Sequence, residues 1–147
     1  MRYAQSHEQD KNLQKGFTLI EVVVALAIVA LVAAVVVPGY FRFIERGRER
    51  NAEATVQSLK LAITQFNMDV GAYPGKLSDL ERKPTDERLS KKWHGPYVDS
   101  EIPEDDPWGS PYVYRVTPGA KYPYELYSIG PKGSEGSRED RIGQWNS

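Results

Sequence analysis

The chain has 147 residues, a formal net charge of −1 and no cysteine. This length allows one small globular domain in addition to a membrane segment. The near-neutral charge excludes a strong electrostatic attraction for nucleic acid, and the lack of cysteine excludes a domain held together by disulfide bonds. The mean hydropathy is negative although one stretch is strongly apolar, so the sequence predicts a single membrane segment joined to a polar domain.

The apolar stretch begins at Phe17 and ends at Val37, and only Thr18 and Glu21 within it are polar. As an α-helix it would span about 31 Å, close to the thickness of a bilayer core. The carboxylate of Glu21 is unusual in such a segment, because a charge in hydrocarbon costs a few kcal/mol unless it is paired or neutralised. We therefore expect Glu21 to have a partner, whereas an ordinary single-pass anchor would leave it unexplained.

The residues before this stretch are polar and lack the apolar core of a secretory signal. The junction of Gly16 with Phe17, followed by Glu21 and by Pro38, closely resembles the processing signal of type IV pilins and type II secretion pseudopilins. The resemblance implies that a prepilin peptidase cuts after Gly16 and methylates Phe17, and that Glu21 acts in assembly. Basic residues lie on both sides of the segment and do not decide its orientation. The resemblance implies a cytoplasmic leader and a periplasmic C-terminal domain.

Helical periodicity resumes after Pro38. Apolar residues recur there at spacings of three and four, at Val56, Leu59, Ile63, Phe66 and Val70. The pattern predicts an amphipathic helix over residues 42–69 that packs on a globular part, and Gly71 is placed to end it. A two-stranded coiled coil is the alternative, but that reading needs more heptads than the chain offers. The clustered charges of residues 45–53 fit either a solvated flank or contacts between subunits.

Residues 72–107 are rich in charge and turn formers and predict a loop region with one short helical turn near residues 78–82. Its expected apolar anchors are Leu77, Leu80, Leu89, Trp93 and Tyr97. His94 lies beside Gly95 and Pro96 and is predicted to be a turn residue. Because no nucleophile, base and orienting group can be assembled, we expect no catalytic residues and no enzymatic activity.

The run Asp106, Pro107, Trp108, Gly109 predicts a turn that buries an aromatic ring. It resembles a segment of the major pseudopilin family of type II secretion systems. Residues 112–116 and 124–129 then predict an antiparallel hairpin with one buried face.

The tail resembles the calcium loop of the same family, in which spaced carboxylates and backbone carbonyls bind one Ca²⁺. Lys132 stands where the first aspartate is expected, and Glu139 and Asp140 occupy the second carboxylate region. Because a lysine repels calcium, we expect no cofactor and a pairing of Lys132 with Glu139 or Asp140. If calcium is bound, Glu139 and Asp140 are its expected ligands. A flexible tail rich in glycine and serine is the alternative.

Together these resemblances imply an α+β, type IV pilin-like fold, with a long N-terminal helix, transmembrane and then amphipathic, packed on a small C-terminal antiparallel β-sheet. The predicted division begins with a cleaved leader at residues 1–16. A transmembrane and polymerisation helix follows at residues 17–38, and an amphipathic helix at residues 39–71. A variable loop region covers residues 72–107, and the sheet with its C-terminal loop covers residues 108–147.

The implied function is that of a structural subunit of a type II secretion pseudopilus, which polymerises through its N-terminal helix to drive protein export across the outer membrane. Expected partners are further copies of the chain, other pseudopilins, the prepilin peptidase and the inner-membrane assembly platform. A type IV pilin or minor pilin for adhesion, twitching or DNA uptake is the alternative, although such pilins usually carry a disulfide-closed loop. A membrane-anchored binding domain that does not polymerise is a third reading, and Glu21 would then be dispensable.

Overall fold

The computed structural model describes residues 16–146. The chain divides into two units at the boundary between Phe41 and Arg42. Within the described residues, the first unit holds the N-terminal part of one long helix, and the second holds the rest of that helix and all other elements.

The long helix, α1, runs over Leu19–Val70 and continues past Pro38, which lies inside it. It ends where Gly71 adopts a φ of 78° and donates its N–H to the Asn67 carbonyl oxygen at 2.8 Å. Only glycine adopts this left-handed conformation without crowding a Cβ, so the end of the helix is determined by the residue type. The predicted amphipathic helix and its C-terminal cap are both confirmed.

One face of α1 forms the core of the second unit. All five apolar residues of the predicted stripe are buried, and Ala52 and Ala62 lie on the same face. Leu80, Tyr124 and Leu126 cover this face from the other side. The core therefore lies between the helix and the residues that follow it, and the coiled-coil alternative is not needed to explain the stripe.

Two short helical segments connect α1 to the sheet. The first is a 3₁₀ turn at Leu77–Leu80, and the second, α2, covers Glu87–Ser90. Leu80 is buried, and the other four predicted anchors are partly buried against the core. The sequence did not predict α2, because four residues are too few to show helical periodicity.

The sheet has three antiparallel strands, β1 at Val113–Val116, β2 at Tyr124–Ser128 and β3 at Ile142–Gln144, in the order β1-β2-β3. Tyr114 lies opposite Leu126 and packs against the core, so the face of β1 that carries Tyr114 is the one that faces the core. The hairpin was predicted and β3 was not. The helix packed on a small antiparallel sheet confirms the predicted fold class.

Asn146, the last described residue, is hydrogen-bonded to the turn between β1 and β2. The side-chain oxygen of Asn146 accepts a hydrogen bond from Tyr122 N at 2.9 Å, and its amide nitrogen donates to Thr117 Oγ1 at 3.1 Å and to Tyr122 O at 3.2 Å. Trp145 meets the Tyr127 ring edge-to-face, with 6.1 Å between centroids. The last described residues are therefore part of the packed domain.

Candidate functional site

Glu21 closes the first turn of α1. Its Oε2 accepts hydrogen bonds from Thr18 N at 2.8 Å and Thr18 Oγ1 at 2.9 Å, while Glu21 N donates back to Thr18 Oγ1 at 3.3 Å. Because Thr18 directly precedes the helix and Glu21 is its third residue, the two form a reciprocal capping box. Thr18 thus gives Glu21 hydrogen bonds within its own chain but leaves its charge unneutralised, and this role of Thr18 was not predicted from the sequence.

This arrangement uses only one oxygen of the carboxylate. Both bonds from Thr18 end on Oε2, and no hydrogen bond to Oε1 occurs within residues 16–146. Oε1 can therefore accept a further donor while the helix remains capped.

The predicted cleavage junction lies just before the helix. Gly16 and Phe17 are exposed and have no regular secondary structure, and Phe17 is 89% exposed. A Cβ added at Gly16 would meet no atom of residues 16–146 within 4 Å, so the described part of the fold does not require glycine there. The leader prediction for residues 1–15 lies outside the described residues.

The apolar part of α1 is exposed in the part of the chain that the structure describes. Every described residue up to Phe43 is exposed, including all large apolar side chains from Phe17 to Phe43. By length and composition this helix is the one candidate for crossing a membrane among residues 16–146. Such a surface must be covered by lipid or by protein.

The turn that contains Trp108 is held by a buried carboxylate. Asp106 Oδ1 accepts hydrogen bonds from Trp108 N at 3.0 Å and Ser110 N at 2.9 Å, and Asp106 Oδ2 accepts one from Ser128 Oγ. Gly130 N in turn donates to Ser128 Oγ at 3.0 Å. The predicted turn is confirmed, and its carboxylate also connects the turn to β2.

We define the C-terminal loop as residues 129–141, which join β2 to β3. Lys132 Nζ lies 2.9 Å from Asp140 Oδ1, and Asp140 Oδ2 accepts hydrogen bonds from Ser137 N at 2.8 Å and Ser137 Oγ at 2.9 Å. Of the two predicted partners of Lys132, the structure selects Asp140, and Glu139 stays exposed. The hydrogen bond from Lys132, together with those from Ser137, lowers the pKa of Asp140.

These residues do not fit a calcium site. Calcium takes six to eight oxygen ligands, whereas an ammonium group here occupies one carboxylate oxygen of Asp140 and the Ser137 turn occupies the other. No group of three or more metal-ligating side chains lies together within residues 16–146. His94 is exposed and lies in irregular structure just after the turn at residues 91 and 92, and its ring nitrogen lies 2.8 Å from the carbonyl oxygen of Lys92.

Comparison with known proteins identifies the family. Residues 40–145 match the family model for type II secretion system protein G, and residues 11–37 match the prokaryotic N-terminal methylation motif. The chain belongs to the type II secretion system protein G family. A core protein G of Pseudomonas aeruginosa is 35% identical over 142 residues, which cover 93% of this chain and 99% of that protein.

Further known proteins are similar to this chain in sequence or in fold. The core protein G of Vibrio cholerae is 33% identical, with 90% of this chain and 92% of that protein covered. The crystal structure of the major pseudopilin from the type 2 secretion system of enterohaemorrhagic Escherichia coli superposes with a TM-score of 0.56 at 24% identity. It covers 71% of this chain and 92% of the pseudopilin, and it supports the fold.

Proposed function

We propose that this protein G family member is a structural subunit of a type II secretion pseudopilus, which polymerises through α1 to drive protein export across the outer membrane. The observation that carries the proposal is the match of residues 40–145 to the protein G family, together with relatives aligned over almost their full length. The family consists of structural secretion subunits, so the proposed role requires no enzymatic step.

The exposed apolar helix supports polymerisation as the mechanism. Before assembly, lipid would cover the apolar side chains of residues 17–43, which are exposed among the described residues. In a filament, the same side chains would pack against neighbouring helices, so that a subunit leaving the bilayer exchanges lipid contacts for protein contacts. This exchange allows an apolar helix to leave the membrane without exposure to water.

The methylation motif supports processing at the predicted junction. We infer that a prepilin peptidase releases residues 1–16 and that Phe17 becomes the methylated N-terminus, with the chain anchored in the inner membrane and residues after the apolar segment in the periplasm. Other pseudopilins and the assembly platform would then be its partners. The exposed position of Gly16 and Phe17 agrees with access by a peptidase.

Glu21 has a specific role in this proposal. Its Oε1 would accept a hydrogen bond from the N-terminal amine of Phe17 in a neighbouring subunit, while Oε2 keeps the bonds from Thr18. Pairing the carboxylate with an ammonium group removes much of the cost of holding it in an apolar environment.

The test is a gene deletion in the bacterium that encodes the chain, complemented with wild type, with Glu21→Ala or with Glu53→Ala. Glu53 is an exposed carboxylate on the same helix outside the apolar segment and is the matched control. Proteins in the culture medium are identified by mass spectrometry, and sheared filaments and membrane fractions are compared by immunoblot. We expect the deletion and Glu21→Ala to abolish secretion and filaments, with Glu21→Ala still inserted and processed.

Each outcome has a distinct meaning. Normal secretion in the deletion strain, accompanied by loss of adhesion, twitching or DNA uptake, would favour the type IV pilin alternative and overturn the proposal. Filaments of Glu21→Ala at wild-type yield would overturn the role of Glu21 and favour another basis for assembly.

A further inference from the structure

The C-terminal loop is closed at two places that lie close together. Gly130 has a φ of 80°, and a Cβ at this position would lie 2.1 Å from the carbonyl oxygen of Asp140, so the two ends of the loop meet with no room for a side chain. Lys132 and Asp140 form the second closure, with 2.9 Å between Nζ and Oδ1. Both closures use Asp140, which directly precedes Arg141 and the start of β3.

Asp140 is the residue on which the loop converges. Its side chain is 18% exposed, whereas that of Lys132 is 65% exposed, so the lysine is the more exposed member of the pair. Asp140 Oδ2 meanwhile holds the 3₁₀ turn at Arg138–Asp140 by its two bonds from Ser137. One oxygen of the carboxylate thus pairs with the ammonium group of Lys132, and the other accepts the hydrogen bonds that hold the turn.

We propose that the ammonium group of Lys132 is the built-in cation of this loop, and that it closes the loop and positions β3 without a divalent metal ion. A cation bound to Asp140 stabilises the loop because it forms a charge-assisted hydrogen bond to a partly exposed carboxylate that also organises the turn. A covalently attached ammonium group supplies this charge at every calcium concentration. A bound metal ion, in contrast, stabilises the folded state by an amount that depends on the concentration of the free ion.

The proposal predicts a local effect on β3. Leu126 pairs with Gln144, and Ser128 pairs with Ile142, so release of the loop should first weaken these backbone pairings. Amide hydrogen exchange at residues 142–146 reports this opening even when the remainder of the domain stays folded. This readout is independent of secretion, so it can fail without affecting the proposed pseudopilus function.

The experiment uses the full chain in detergent and measures the thermal unfolding midpoint and amide exchange, each with millimolar calcium and with a chelator. The variants are Lys132→Ala, the conservative Lys132→Arg and the control Lys83→Ala, which removes an exposed lysine from the loop region. We expect wild-type protein to behave identically with calcium and chelator. Lys132→Ala should exchange residues 142–146 several-fold faster in both conditions, while Lys132→Arg and Lys83→Ala stay close to wild type.

Two results would overturn the inference. A calcium-dependent rise of several degrees in the wild-type midpoint would show that Asp140, Glu139 and backbone carbonyls bind the metal ion despite the lysine. Wild-type exchange at residues 142–146 in Lys132→Ala would show that the ammonium group does not hold the loop.

Discussion

Trp108 and Glu45 are joined by a hydrogen bond of 2.7 Å, from the indole Nε1 to the carboxylate Oε1, although they lie 63 residues apart in the chain. The turn before β1 is thereby fastened to α1 close to the start of the second unit. Glu45 also lies 3.9 Å from Arg48, so the carboxylate has partners on two sides. This contact gives one residue of the clustered charges on α1 a function within the subunit.

Loss of the Glu45 carboxylate should weaken this attachment. We expect Glu45→Ala to lower the free energy of unfolding by about 1 kcal/mol, because Trp108 Nε1 loses its acceptor in a partly buried position. Chemical denaturation followed by tryptophan fluorescence measures the effect. Glu49→Ala, one turn further along the helix and exposed, is the control and should be close to neutral. Equal stability of the two variants would mean that the hydrogen bond contributes nothing.

Loss of the buried Asp106 carboxylate should destabilise the domain more than loss of the Glu45 carboxylate. Asp106→Ala leaves Trp108 N, Ser110 N and Ser128 Oγ without their acceptor, and we expect a loss of about 3 kcal/mol. The neighbouring Asp105 is exposed, so Asp105→Ala provides a matched loss of charge without these bonds. Circular dichroism during denaturation gives both values, and similar losses in the two variants would contradict the assignment of the turn to Asp106.

Processing can be examined by intact-mass analysis of protein extracted from membranes. We expect wild type to begin with N-methylated Phe17 and Gly16→Val to keep the leader. Because a side chain at Gly16 meets no atom of the fold, failure to cleave this variant would reflect recognition by the peptidase. Gly47→Val, at a second glycine with open space around it, should be processed normally. A wild-type protein with its leader retained would refute the cleavage prediction.

The contribution of Asp140 to the free energy of unfolding should decrease at acid pH. The bonds from Lys132 and Ser137 lower the pKa of Asp140 in the folded protein, so the unfolded chain takes up its proton first as the pH falls. The contribution should be complete above about pH 4, the ordinary range of an aspartate, and lost as the pH falls through the folded pKa. The difference in unfolding midpoint between wild type and Asp140→Asn should therefore shrink between pH 7 and pH 3. A constant difference would contradict this linkage.

The long helix was predictable because its signal is repeated many times. Every turn of the predicted stripe from Val56 to Val70 carries an apolar residue, and a capping glycine follows. The capping box of Thr18 and Glu21 could also have been predicted, because a threonine followed three residues later by a glutamate is its sequence pattern. It was missed because Glu21 was interpreted only as a charge in an apolar segment.

Other parts of the structure depend on contacts that no local pattern contains. The strand β3 has three residues, one of them Gly143, and is too short to show alternation. Its pairing with β2 depends on closure of the C-terminal loop, which no local sequence pattern indicates. The partners of Trp108 and Ser128 lie 63 and 22 residues away, so the sequence predicted a buried turn without predicting what holds it.

The hydrogen bonds of Asn146 have a consequence for the order of events during synthesis. Asn146 bonds to Thr117 and Tyr122, and β3 just before it completes the sheet. The domain therefore cannot reach its final packing until residue 146 has been translated and has left the ribosome. Until then the nascent chain is incompletely folded, and β2 lacks its pairing with β3.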